Sequence, residues 1–493
     1  MIPAIPVDPE RRRQVASALR AVLPDRCVLH DPEDTRPYEC DGLAAYRQLP
    51  MIVTLPDNEE QVLAILKVCR DLKVPIVPRG AGTGLSGGAQ PLADGVVIST
   101  ARLNRILKVE PYARTAVVQP GVRNLAISEA AAPFGLYYAP DPSSQIACTI
   151  GGNVAENSGG VHCLKYGLTV HNVVRARVCT IEGDVVELGS EALDAPGLDL
   201  LAVFIGSEGM LGIVTEVTVK LVPKPALAQV IMASFDDVVT GGNAVASVIA
   251  AGIIPAGLEM MDRTSSRMVE PFVKAGYDLD AAAILLCEAD GTALEVAEEI
   301  ERMTEVLQQA GASAIAVSQN EAERLRFWSG RKNAFPACGR ISPDYYCMDG
   351  TIPRKHLARV LQRIEEMETT YGLRCANVFH AGDGNMHPLI MFDANKPGEL
   401  ERAEEFGAAI LALCVEVGGT ITGEHGVGVE KIDSMCVQFG SKELEAFFTV
   451  KRAFDPGMLL NPNKAVPTLQ RCAEMGRMRV SGGALPFADL PRF

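Results

Sequence analysis

Pro78-Arg79-Gly80-Ala81-Gly82-Thr83-Gly84-Leu85-Ser86-Gly87-Gly88 decides how the N-terminal half of this chain is read. Five of these residues from Gly80 onward are glycines. Backbone bare of side chains lets several N–H groups converge on an anion such as a pyrophosphate. The window Gly82–Gly87 satisfies G-x-G-x-x-G, but that fingerprint requires a helix starting inside it and an acid about 20 residues later. Gly88, Pro91 and Gly95 follow instead, and Glu110 ends no recognisable βαβ unit. A nicotinamide dinucleotide is therefore disfavoured, and a merely tight structural turn is the alternative to an anion cradle.

Two further runs extend the pattern. Pro140-Asp141-Pro142-Ser143-Ser144 leads to Thr149-Ile150-Gly151-Gly152-Asn153-Val154-Ala155-Glu156-Asn157-Ser158-Gly159-Gly160, and Gly206-Ser207-Glu208-Gly209-Met210-Leu211-Gly212-Ile213-Val214-Thr215 precedes a strand. Three such loops, none reading as a helix-starting phosphate loop, predict an extended cofactor lying across them. Strands are predicted between them at Met51–Leu55, Val74–Val77, Val96–Ser99, Thr115–Gln119, Val173–Ile181, Val185–Leu188 and Ile213–Leu221. Val62, Leu63, Ile65, Leu66 and Cys69 recur at helical spacing, with Asp57 or Asn58 as the cap.

Pro223-Lys224-Pro225 stops any regular element, and beyond it long amphipathic helices such as Ala293–Gly311 alternate with strands. The expected division is 1–222, 223–467 and a tail over 468–493, in keeping with 493 residues being too many for one core. The uncharged stretch Val238–Leu258 is nearly long enough to span a bilayer, but its glycines, Pro255 and alanines predict a buried helix followed by a strand. A net charge of −15 argues against nucleic acid or an anionic bilayer as the main partner. Thirteen scattered cysteines without a C-x-x-C pair fit a reducing compartment and offer no iron–sulfur or structural zinc framework. The start of the chain lacks the apolar core of a signal peptide, so a cytoplasmic protein is expected.

The three loops, in this order and spacing, resemble the flavin domain of the vanillyl-alcohol-oxidase-type FAD proteins, in the 2-hydroxy-acid dehydrogenase branch. The likeness runs from Tyr38-Glu39-Cys40-Asp41-Gly42 to Asn461-Pro462-Asn463-Lys464. It implies an α+β fold, with an FAD-binding domain over 1–222 and a C-terminal α+β substrate or cap domain over 223–467. Carried over by position, Arg79, Gly80, Ala81, Gly82, Thr83, Gly84, Ser86, Gly87 and Gly88 would wrap the cofactor with Pro140, Asp141, Ser143, Ser144, Gly151, Gly152, Asn153, Ala155, Asn157 and Gly159. Glu208, Gly212, Ile213 and Val214 would add contacts from the third loop. Some relatives attach flavin through a histidine where Thr83 stands here, so non-covalent FAD is expected.

Three of the seven histidines fall in two motifs, His380-Ala381-Gly382-Asp383-Gly384-Asn385-Met386-His387 and Gly423-Glu424-His425-Gly426. A hairpin turning at Asp383-Gly384 puts both imidazoles of the first motif near its base. Two histidines and a carboxylate leave coordination positions open, as a catalytic metal requires; taken singly each motif reads rather as satisfied interface histidines, and together with the glycine loops the metal reading is preferred. The resemblance assigns His380, His387 and Glu424 to a divalent metal (zinc, manganese or iron) and makes His425 the general base. It leaves Asn385 either bonded to substrate or ordering the hairpin. Arg331, in Phe327-Trp328-Ser329-Gly330-Arg331-Lys332-Asn333, matches the family's substrate-binding arginine, with Lys332 and Arg340 as weaker candidates.

Relatives acting on 2-hydroxyglutarate carry a lysine in a Tyr-Lys-Tyr-Asp run, where this chain has Tyr346-Cys347-Met348-Asp349. A second substrate carboxylate would lose a charge-assisted contact of about 1.5–3 kcal/mol. The implied substrate is then a short 2-hydroxy acid, glycolate or D-lactate, oxidised to the 2-oxo acid. The resemblance further implies electron transfer to a flavin-domain partner and an iron–sulfur partner or a quinone, with peripheral attachment to the inner membrane through those partners. The readings it competes with are a D-2-hydroxy-acid dehydrogenase working without partners, a metal-dependent hydrolase, and a scaffold subunit with vestigial flavin.

Overall fold

Asn58 caps the helix Glu59–Leu72 by accepting the Gln61 N–H at 2.9 Å, and Val62, Ile65, Leu66 and Cys69 bury one face of it. This helix covers a four-stranded sheet ordered Val28–Leu29, Ile52–Thr54, Val96–Ser99, Ile76–Arg79, whose last three strands run parallel. These relations come from a computed structural model, which describes residues 7–192 and 197–467 and Cys472. The predicted tail over 468–493 lies outside the described residues except for that cysteine.

A five-stranded antiparallel sheet completes the N-terminal half, ordered Ile106–Glu110, Thr115–Val118, Ile213–Lys220, Val173–Cys179, Val185–Gly189. The strand predicted from Val74 begins at Ile76, because the Val74 N–H still closes the preceding helix on the Cys69 carbonyl. Pro223 ends the two-residue strand Val222–Pro223, paired with Leu136–Tyr137, and the Lys224 N–H then reaches the Gly135 carbonyl. A proline fits there because the strand is an edge with few ladder bonds to lose.

From Leu227 the chain builds a seven-stranded antiparallel sheet. Its order is Ala314–Val317, Leu227–Phe235, Ala283–Gly291, Gly257–Asp262, Cys375–Phe379, Pro388–Phe392, Asp344–Cys347. Val238–Leu258 folds as the helix Val238–Ala250 followed by the strand Gly257–Asp262, and no helix among the described residues is long and apolar enough to cross a membrane. The helix Ala293–Gln309 carries a reciprocal cap between Thr292 and Glu295 and buries Val296, Met303 and Leu307 against the sheet.

The expectation that the second glycine run starts no helix is corrected. Ile150–Glu156 is helical despite Gly151 and Gly152. Ile150 and Val154 are buried, and a Cβ on Gly151 would come within 2.6 Å of Pro120 Cβ, so close packing outweighs glycine's poor helix propensity. The expectation of free thiols also meets one exception, because Cys436 and Cys472 form a disulfide with Cα atoms 5.5 Å apart. A pair 36 residues apart is made by tertiary approach, which spacing does not reveal.

Candidate active site

A cavity of about 490 Å³ lies where the glycine loops face the imidazole-bearing motifs, a size typical of small-molecule and cofactor sites. On one side stand Arg79–Gly84, Gly88, Ser143, Ser144, Gly151–Ala155, Glu208 and Gly212–Val214; on the other stand Lys332, Asn333, Phe335, His387, Glu424 and His425. Among the described residues, the backbone N–H groups of Ala81, Gly82 and Thr83 donate to no protein acceptor, as a loop cradling an anion requires. Thr83 itself is on the wall.

Six of the expected cofactor residues are turned to other work. The Ser86 hydroxyl donates to the His425 carbonyl at 2.8 Å, and a Cβ on Gly87 would meet Val429 at 2.5 Å, so this pair clasps the Glu424–His425 segment. The Pro140 carbonyl accepts from Asn124, and Asp141 is bound to His162 Nδ1 at 2.8 Å. Asn157 ends the Ile150–Glu156 helix in left-handed conformation and accepts the Val170 N–H. Gly159 admits Glu424, whose Oε2 would lie 2.6 Å from a Cβ there. Glycine and small polar residues look alike in sequence whether they face a ligand or a neighbouring loop.

The predicted hairpin forms. Cys375–Phe379 pairs with Pro388–Phe392, and the His380 N–H donates to the Asn385 carbonyl at 3.1 Å. Glu424 Oε1 lies 2.9 Å from His387 Nε2 and 3.3 Å from His380 Nε2, so the three side chains meet at one point. Glu424 Oε2 is buried without a partner. Burial pushes the Glu424 carboxyl up, but His380 and His387 outweigh it and hold it well below the usual range. Burial likewise disfavours the His380 imidazolium, yet Glu259 and Glu424 raise its pKa to about 10.

Glu259 is absent from the sequence reading and central to the geometry. Met260 pairs with Phe379 across the sheet, which sets Glu259 beside His380, and Glu259 Oε1 lies 2.7 Å from His380 Nδ1. Its other oxygen accepts from Arg331 Nε at 2.5 Å. Arg331, 1% exposed, therefore does not reach the cavity wall as expected, because a buried carboxylate needs its cation. Its neighbour Lys332 does line the wall, whereas Arg340 stacks over Phe272. Asn385 orders the hairpin through its backbone and packs its amide against Gly423.

His425 is held by a second missed group, Asp349, which closes the run noted above for its missing lysine. Asp349 Oδ2 accepts the N–H groups of Gly423, Glu424 and His425 at 3.1, 2.9 and 2.7 Å, and Oδ1 accepts from Lys431 Nζ. Burial raises the Asp349 pKa, but Lys431 and His425 overcome it and bring it to about 2. The His425 ring stacks on His387 with centroids 5.0 Å apart. Burial presses its pKa down to about 4 against the pull of Asp349, which leaves a neutral imidazole. His425 lines the cavity, and its Nδ1 is buried without a hydrogen-bond partner.

Residues 50–189 match the family described as an FAD binding domain, and residues 224–465 match the family described as FAD linked oxidases, C-terminal domain. The chain is 63% identical over 482 residues to glycolate oxidase subunit GlcD of Escherichia coli (strain K12), covering 98% of this chain and 97% of that one. It is 39% identical over 428 residues to glycolate oxidase subunit GlcD of Bacillus subtilis (strain 168), covering 87% and 91%. In fold it is similar to a p-cresol methylhydroxylase solved with substrate bound, with a TM-score of 0.78 at 18% identity over 95% of this chain and 99% of that one.

Proposed function

The chain belongs to the FAD-linked oxidases, in the group of the glycolate oxidase subunits GlcD, and from that premise we propose that it oxidises glycolate, or a close small 2-hydroxy acid such as D-lactate, to the 2-oxo acid. The observation that carries this reading is the single cavity shared by the glycine loops and by His387, Glu424 and His425. The unpartnered N–H groups at Ala81–Thr83 suit the cofactor's pyrophosphate, and the loop offers Thr83 where a covalent link would need a nucleophilic ring nitrogen; the FAD is held non-covalently. When bound, FAD supplies a two-electron acceptor for the hydride of the substrate α-carbon.

The chain's own part is to orient the acid and to take its proton. His425 Nε2 accepts the hydroxyl proton, a task suited to an imidazole that is neutral at working pH. Asp349 fixes the backbone that carries it. Lys332, the cation on the wall, meets the substrate carboxylate, and Arg331 secures Glu259 and through it His380.

The His380/His387/Glu424 donor set fits a divalent metal such as zinc, manganese or iron. Glu259 on Nδ1 of His380 leaves Nε2 as the ligand atom, the arrangement usual for metal-bound histidine, and Glu424 keeps a buried oxygen free of protein donors. A metal there would lower the pKa of a bound hydroxyl and hold it still. The glycolate oxidase relatives are named as subunits, and in this reading the chain passes its electrons to partner subunits, for its cysteines supply no cluster motif.

Steady-state oxidation of glycolate, D-lactate and 2-hydroxyglutarate with an artificial acceptor, before and after dialysis against a chelator, tests this. Activity on the two short acids, lost on chelation and restored by one divalent metal, is expected. Preference for the dicarboxylate, or chelator-insensitive turnover, would contradict it.

A further inference from the structure

Behind the cavity wall a second set of donors converges. Cys347 Sγ and one ring nitrogen each of His387 and His425 lie within 4.8 Å of one another. The edge strand Asp344–Cys347 pairs Cys347 with Leu389, which brings its thiol alongside the start of the strand that follows His387. His387 is 2% exposed and Cys347 4% exposed. Because His387 Nε2 is engaged by Glu424, Nδ1 is the nitrogen it has left, and that atom is buried with no hydrogen-bond partner. His425 Nδ1 is in the same condition. The thiol donates only to the neighbouring Met348 carbonyl, at 3.4 Å.

A thiol and two histidines that each keep an unpartnered buried nitrogen offer a donor set of one sulfur and two nitrogens. Such sets favour zinc and the softer cadmium over hard, oxygen-seeking cations. We propose that Cys347, His387 and His425 form a second metal site, selective for thiophilic divalent cations, whose occupation turns the active site off. Binding makes one metal–sulfur and two metal–nitrogen bonds, and the thiol proton is released to solvent. A metal on His425 Nδ1 leaves the ring's proton on Nε2, the atom that must be free to accept the substrate's proton. His387 belongs to both sets, so filling this one also withdraws a ligand from His380 and Glu424. The inhibitory effect rests on the proposed role of His425; the binding does not.

Flavin-loaded wild-type chain and Cys347→Ser, each titrated with cadmium chloride, test this. The wild type should develop the ultraviolet thiolate-to-cadmium absorption to one equivalent per chain, with glycolate oxidation falling in parallel. In Cys347→Ser that absorption should be absent, and the cadmium concentration for half-inhibition, relative to the variant's own uninhibited rate, should rise about tenfold or more. An unchanged band and unchanged inhibition in Cys347→Ser would overturn the proposal. Should that variant not fold, X-ray absorption of cadmium-loaded wild type decides: a sulfur neighbour beside imidazole nitrogens is expected, and a shell of nitrogen and oxygen alone would overturn it. A cadmium band at Cys347 in a chain inert toward every 2-hydroxy acid would support the site while defeating the functional reading.

Discussion

His425 is neutral at working pH because burial disfavours its imidazolium more than Asp349 restores it. A base must be unprotonated to act, and a pKa lowered to about 4 keeps it so down to that pH. The acid limb of the kcat/KM profile for glycolate should therefore fall near pH 4, well below the ordinary histidine value of about 6.5. A limb at 6 to 7 would contradict this placement. The Asp349 pKa is depressed as well, here because Lys431 and His425 favour its charged form over the cost of burial. Its depressed pKa stabilises the fold above the usual aspartate range, and that contribution disappears as pH falls toward about 2. Lys431→Met would strand Asp349 as a buried charge, a loss of about 3–5 kcal/mol measurable by denaturant unfolding. Glu259→Gln weakens the grip on His380 Nδ1 and should cut the affinity of the proposed His380/His387/Glu424 metal site about 10–100-fold, read by metal content after dialysis.

At the scale of elements, local pattern and long-range register divided what could be read. The Glu59–Leu72 helix, the strands Val96–Ser99 and Ile213–Lys220, and the His380–His387 hairpin announce themselves by periodicity, caps and a turn. Glu259 and Asp349 do not. Their roles come from pairing Met260 with Phe379 and from folding the Gly423–His425 backbone over Asp349, contacts between residues more than seventy positions apart in sequence. Arg331 was legible as a cation near the site but not as the partner of Glu259. The glycine loops were legible as loops, whereas which glycines face the cavity depends on neighbours such as Val429 and Glu424. Gly209 supplies a test. It has φ of +72°, and a Cβ there would fall 2.1 Å from Pro78 Cγ, so Gly209→Ala should shift the first and third loops apart. About 1–2 kcal/mol from the left-handed backbone alone, together with loss of bound flavin, is expected in thermal unfolding and absorbance.

Across the whole molecule, the C-terminal segment laces the two halves together around the cavity. Asn461 Nδ2 donates to the Gly88 and Glu208 carbonyls at 2.9 and 2.6 Å, and Lys451 Nζ donates to the Met210 and Leu460 carbonyls. His162 bridges Asp141 of the second glycine run to Glu288 of the seven-stranded sheet, and Glu288 is bound in turn by Arg324 and Trp328. Asn461→Ala would leave two buried carbonyls without their donor, at about 1–3 kcal/mol each, and should lower both the unfolding temperature and flavin retention. What this lacing maintains is the cavity shared by the glycine loops and by His387, Glu424 and His425, where the proposed reaction places the hydroxy acid. The direct test is anaerobic addition of glycolate to the flavin-loaded wild type and His425→Ala while the oxidised-flavin absorbance is followed. The wild type should bleach fully and the variant should bleach slower by about 10²–10⁴-fold; equal bleaching in both, or none in the wild type with any short 2-hydroxy acid, would contradict the account.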